Sequence, residues 1–216
     1  MAYRLRPRLT VCLVEDQAIF LDIERDRYFS LTGSAARAIE ALIGGQLISP
    51  DQLAHLSRAG LAPRDDNEPG GPIAIPLPAS SLVEQGRRRR PSDPDAIPGV
   101  AVSAFLAHRR LRRRPLSSIL DGVMARRAAI STREVGPPIA AVETYLGARR
   151  MIPVAPRCLP DSLALLDWLF RRGLAADLVF GVKLNPFSAH CWLQSGEVVL
   201  NDALDTVRLH TPILIV

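Results

Sequence analysis

The chain has 216 residues, 48% apolar and 23% charged, a balance that suits one large or two modest soluble folded units and excludes a wholly disordered polymer. No run of about 18 apolar residues occurs, because the most apolar helix candidate, Leu163 to Phe170, is broken by Asp167 and followed by Arg171 and Arg172, so no membrane span is expected. The net charge of +5 is almost wholly arginine, Lys183 being the only lysine.

The N-terminus begins with charge but runs into an alternating pattern rather than an apolar core and cleavage site, so no secretory signal is read. Three cysteines without framework spacing fit a reducing compartment, and a cytoplasmic location follows as the default. Arginines cluster at 87–90, 109–114, 126–127, 149–150 and 171–172. Such clusters suit an acidic partner. No aromatic residues interleave with them as single-strand binders need, so they read chiefly as solvated helix ends and linkers, and no nucleic-acid partner is expected.

The first sixty residues predict three short antiparallel strands followed by helices. Val11 and Leu13 alternate with Thr10 and Cys12, Glu15-Asp16 turns the chain, Ile19, Leu21 and Ile23 alternate again, and Tyr28 to Leu31 forms a third run. A helix starts near Thr32 or Ser34, carries Ala35, Ile39, Leu42 and Ile43 on one face, and stops at Gly44-Gly45. Ser49-Pro50-Asp51-Gln52 is a capping-box start for a second helix, with Leu53 and Leu56 facing inward. From 63 to 97 the composition shifts to Asp, Gly, Pro and Arg, and the stretch reads as a linker between a unit at 1–62 and a second at 98–216.

Apolar periodicity resumes in helical stretches at 102–114, 116–124 and 139–146. Cys158 then precedes Pro160, Leu163, Leu166 and Phe170 at helical spacing, with Gly173 behind two arginines. That places the cysteine at or just before a helix N-terminus, where the dipole and free N–H groups stabilise a thiolate. Leu178 to Val182 reads as a buried strand. Residues 190–194 and 198–202 flank Ser195-Gly196-Glu197 as a hairpin. With those three residues as the loop, Gln194 faces Val198 and His190 falls opposite Asp202, with Cβ atoms about 4.5–5.5 Å apart. A two-residue loop would turn the two side chains to opposite faces, and the sequence leaves that choice open.

A thiol at a helix start, a histidine and a carboxylate form the set in which a base takes the thiol proton and an acid fixes the imidazole tautomer. Metal binding is not expected, since adjacent His190 and Cys191 point to opposite faces of a strand and cannot share one ion. Cys12 and Cys191 read as core residues, and His55, His108 and His210 have no visible partners.

These residues resemble a known family, the B proteins of lasso-peptide biosynthesis, bacterial leader peptidases with a transglutaminase-like, papain-like fold. The resemblance rests on Arg157-Cys158-Leu159 with Ser162 to Leu165, on Gly181-Val182, Pro186-Phe187 and Ala189-His190-Cys191-Trp192, and on Asn201-Asp202 and Thr211-Pro212, over roughly 138–216. In front, Phe20-Leu21-Asp22 through Arg25 to Leu31 is similar to the precursor-recognition element of the same proteins, a winged-helix domain like the peptide chaperone of pyrroloquinoline quinone biosynthesis. Asp161 departs from the family, where a basic residue is more usual.

The resemblance implies an α+β chain: a small winged-helix-like front domain binds the leader of a ribosomal precursor, and a cysteine peptidase domain hydrolyses the leader–core bond with Cys158, His190 and Asp202. It implies that the leader adds as a strand beside Arg27, Tyr28, Phe29 and Leu31, with Leu53 and Leu56 lining a groove. The chain itself needs no cofactor under this reading; an asparagine-synthetase-like cyclase partner uses ATP to close the ring. The alternatives are a non-catalytic peptide-presenting module and a winged-helix nucleic-acid binder.

Overall fold

The computed structural model describes residues 8–46, 48–58, 61, 75–85, 93–130 and 137–216. The expectations for His55 and the Arg87–Arg90 run lie outside the described side chains and residues. The fold is α+β, and the chain divides into two compact units, Met1–Ala74 and Ile75–Val216.

In the first unit β1 (Leu9–Val14), β2 (Gln17–Asp22) and β3 (Arg27–Leu31) form an antiparallel meander in the order β1-β2-β3. Val14 pairs with Gln17, so Glu15-Asp16 closes a two-residue turn, with Glu15 at φ 53. The helices α1 (Gly33–Ile43) and α2 (Pro50–Arg58) follow. The capping box is realised in both directions: Gln52 N–H donates to Ser49 Oγ at 3.2 Å, and Ser49 N–H donates to Gln52 Oε1 at 2.9 Å. Phe20, Ile39 and Leu56 are fully buried and join Leu9, Ala18, Ala36, Ala38 and Leu61 in one core. Each large side chain removed from water there contributes about 1.5–3 kcal/mol.

The second unit consists of β4 (Ser80–Ser81), α3 (Ala96–Arg113), α4 (Leu116–Ala128), α5 (Ile139–Arg149), α6 (Cys158–Phe170), β5 (Asp177–Lys183), β6 (Ser188–Ser195), β7 (Val198–Val199), α7 (Leu204–Arg208) and β8 (Thr211–Ile215). Its sheet has the order β4-β7-β6-β5-β8. Every residue of α6 from Ser162 to Phe170 is buried, because α3 and α5 pack on it from one side and β6 from the other. Two ties fix it laterally. Trp168 Nε1 donates to the Ala141 carbonyl of α5 at 3.2 Å, and Gly99 lets α3 approach so closely that a Cβ there would lie 3.0 Å from the Trp168 ring.

Three details differ from the sequence expectation. The first helix of this unit begins at Ala96, because Pro98 occupies its first turn, where a missing N–H is no loss. Residues 75–85, within the stretch read as a linker, carry β4, which runs parallel to β7 while Leu82 N–H donates to the Val199 carbonyl at 3.0 Å. The closing strand β8 escaped notice because Pro212 argues against a strand. It lies on an edge, where proline is tolerated.

Candidate active site

Cys158 is the first residue of α6, and the extended backbone of Arg157 (φ −140, ψ 135) precedes it. The N–H groups of Cys158 and Leu159 stand at positions without acceptors inside the helix, and Pro160 has none. Asp161, the departure from the family pattern, holds this start together. Its Oδ2 accepts from Arg157 N–H at 2.9 Å and its Oδ1 from Arg149 Nε at 2.8 Å. Arg149 also donates to the carbonyls of Ile152 (3.4 Å) and Val154 (3.0 Å), so one ion pair shapes the loop that delivers the thiol.

His190 lies on β6, where it pairs with Gly181 of β5. Of the two loop lengths that the sequence leaves open, the shorter forms. Ser195 pairs with Val198 and Gln194 with Val199, so Gly196-Glu197 is a two-residue turn, closed by Gly196 at φ 57. Extended onward, that register would set His190 against Ala203 and turn Asp202 to the other face. The ladder stops at Val199 instead. Leu200 N–H still donates to the Leu193 carbonyl at 2.9 Å, but Leu193 N–H donates to the side-chain Oδ1 of Asn201 at 2.8 Å. Released from the ladder, the chain folds Asp202 back onto His190.

The two side chains meet at 2.5 Å, His190 Nε2 to Asp202 Oδ2. The other Asp202 oxygen, Oδ1, accepts from Ala203 N–H at 2.7 Å, and the Asp202 carbonyl accepts from Ser81 Oγ at 2.5 Å. With Nε2 committed to the acid, Nδ1 is the nitrogen left for the Cys158 sulfur, with which His190 shares a hydrogen bond. Asn201 adds a brace between layers: its Nδ2 donates to Ser162 Oγ in α6 at 2.9 Å while its Oδ1 serves β6.

The electrostatics follow from these contacts. Hydrogen bonds from Cys191 and then His190 hold the Cys158 thiol far below its ordinary value, at about 4, against the opposing effect of burial. The hydrogen bond to Asp202, then that to Cys158, raises His190 to about 9. Thiolate and imidazolium therefore coexist across the neutral range. Cys191 and Cys12 behave oppositely: the bond to Cys158 and burial push the Cys191 thiol up, and burial alone pushes Cys12 up to about 12. One cysteine of the three is exposed, and it is the acidic one.

Two neighbours were missed from sequence. Cys191 was read as a core residue, and it is buried, yet its thiol also hydrogen-bonds the Cys158 sulfur. His210 packs its ring 5.2 Å from that of His190, and Trp192 lies 6.3 Å away on a stacked ring. His210 Nδ1 donates to the Thr206 carbonyl at 2.8 Å, its Nε2 is buried with no partner among the described residues, and burial lowers its pKa. A neutral imidazole thus stands beside the charged one. Gly181 permits this packing, since a Cβ there would fall 2.9 Å from both His210 Cβ and the Trp192 ring. The one legible signal was a glycine inside an apolar strand.

The residues expected to hold a leader peptide lie in the first unit. Phe29 stacks on Phe20 at 4.9 Å, Leu31 packs against the same core, and Leu56 is 1% exposed within it. Arg27 is exposed, lies 5.6 Å over the Phe29 ring, and reaches buried Asp22 at 3.8 Å; Tyr28 and Leu53 are half-buried. Phe29, Leu31 and Leu56 are thus spent on the core, and the backbone edge of β3 with Arg27, Tyr28 and Leu53 is the surface a strand could use.

A helix-start cysteine faces a strand histidine on a sheet backed by a buried central helix, an arrangement that suits nucleophilic thiol chemistry. The chain belongs to the transglutaminase-like superfamily, whose family model matches residues 99–214. It is also similar to the Microcin J25-processing protein McjB of Escherichia coli, with 46% identity over 46 residues. That stretch spans only 21% of this chain and 22% of McjB. No solved structure matches the chain.

Proposed function

We propose that the chain is a cysteine peptidase of lasso-peptide maturation, which hydrolyses the bond between leader and core of a ribosomal precursor. The observation that carries this reading is the hydrogen-bonded series Cys158, His190 and Asp202, with the thiol acidified to about 4. Cys158 thiolate attacks the scissile carbonyl, and the N–H groups at the start of α6 receive the developing oxyanion. His190 protonates the leaving amine, then takes a proton from the water that hydrolyses the thioester. Asp202 orients the ring and stabilises its charged form. The likeness to McjB, a microcin J25-processing protein, supports this choice of substrate class.

The first unit captures the leader by adding it as a strand to the edge of β3, guided by Arg27 and Tyr28, in a winged-helix-like setting. The freed core passes to an ATP-using, asparagine-synthetase-like cyclase in the cytoplasm, whose reducing conditions keep the Cys158 thiol available. The test is to incubate the full chain with a precursor peptide and the cyclase, and to follow leader and core by mass spectrometry. Cys158→Ala is expected to abolish cleavage while retaining leader affinity. Undiminished cleavage by that variant would remove Cys158 as nucleophile and the reading with it.

A further inference from the structure

A second feature of the second unit lies away from the thiol. Asp167 is nine residues along α6 from Cys158, roughly 13 Å by helical rise. Its side chain is 5% exposed, and three guanidinium groups converge on it: Arg126 and Arg171 at 2.5 Å and Arg110 at 3.5 Å. Ser103 Oγ adds a fourth donor at 3.5 Å. Burial alone would raise this carboxyl, but the Arg126 hydrogen bond and the charges of Arg171, Arg126 and Arg110 hold it below the usual range.

Among the described residues three positive charges meet one negative, which leaves two uncompensated, and the three arginine side chains keep 38–43% of their surface in solvent. Arg114, exposed and without an ion pair among the described residues, lines the same place. These arginines rim a cleft of about 290 Å³ between α3, α4 and α6, whose floor is apolar: Ile119, Val123, Leu163, Leu166 and Phe170. A second depression, lined by Arg126, Ile130 and Phe170, meets it at two shared residues, Arg126 and Phe170. Helix-end charge complementarity accounts for arginines in the last turns of α3 and α4. It does not account for their gathering over an apolar floor with charge left over.

We propose that this cleft is a docking site for an acidic, leucine-rich segment of a protein partner, whose carboxylates pair with Arg110, Arg114 and Arg126 while its apolar side chains cover the floor. Charge complementarity selects the occupant. A nucleic acid fits less well, because the aromatic ring in the cleft is already covered by the Arg126 guanidinium, 4.9 Å from its centroid, and offers no face for a base. The inference stands apart from the peptidase reading, since it uses none of the catalytic side chains.

The experiment titrates the full chain against a fluorescein-labelled peptide rich in glutamate and leucine, read by anisotropy, with its glutamine counterpart and inorganic phosphate as further arms. Binding is expected for the glutamate peptide, with affinity falling as salt is raised. Arg114→Glu is expected to weaken it about tenfold or more. Ser118→Glu, an exposed position in the same cleft, is a second variant that leaves every arginine in place and is expected to act in the same direction. Equal binding of the glutamine peptide, unchanged affinity in folded variants, or displacement of the peptide by phosphate at low concentration would each overturn the proposal.

Discussion

The imidazole of His190 and the carboxylate of Asp202, twelve residues apart, meet at 2.5 Å although they are not partners in any strand ladder. Asp202→Asn keeps the size and removes the anion that fixes the ring. It is expected to lower kcat for leader cleavage by about 10²–10⁴-fold with little change in leader affinity. Single-turnover kinetics with a precursor peptide measure the first quantity and calorimetric titration the second.

The pair of shifted titrations predicts a pH window. A lowered thiol keeps Cys158 ionised down to about 4, and a raised imidazole keeps His190 protonated up to about 9. Alkylation of Cys158 by iodoacetamide is expected to stay fast from about pH 5 to 8 and to fall toward pH 4. His190→Ala removes one of the two side-chain donors to the sulfur, so the acid limb moves upward. An unmoved limb in that variant would place the acidity of the thiol elsewhere.

Asn201→Ala removes the acceptor for Leu193 N–H and the donor to Ser162 Oγ at once. Leaving such a buried group unpaired costs about 1–3 kcal/mol. The expected readouts are a lower urea midpoint with an unchanged slope and a reduced kcat, because the residue next to Asn201 is the acid that orients His190. Normal stability and normal kcat together would deny Asn201 its bracing role.

Gly181→Ala tests the packing behind His190. Its Cβ would meet two atoms of the Trp192 ring and the His210 Cβ at 2.9 Å, so the substitution is expected to destabilise the fold by about 1–3 kcal/mol. Thermal unfolding measures this, and a wild-type midpoint would show that Trp192 and His210 can give way.

How much of this was legible depended on range. The Ser49–Gln52 cap and the start of α6 at Cys158 are local chemistry, decided by a handful of adjacent residues, and both were readable. The pairing of His190 with Asp202 was legible only on condition of a three-residue loop, and the chain uses two. The contact survives because a side chain, that of Asn201, takes over from the ladder, and no periodicity announces such a substitution. His210 was invisible for a different reason. Its place beside His190 depends on β8 lying across β5 from β6, a long-range pairing carried by a strand that contains proline. Leu56, expected to line a groove, obeys its inward periodicity so fully that it belongs to the core.

The short β4 strand bears on where the second unit starts. Ser81 grips the carbonyl of Asp202, and Pro76 accepts from Gln194, so a stretch whose composition suggests a mere tether acts as an outer stay for the acid's loop. A shortened chain opening at residue 98 would keep the thiol, the imidazole and the acid in its sequence yet leave the acid's backbone unmoored. A cut just after Ile75 is consequently expected to loosen that loop.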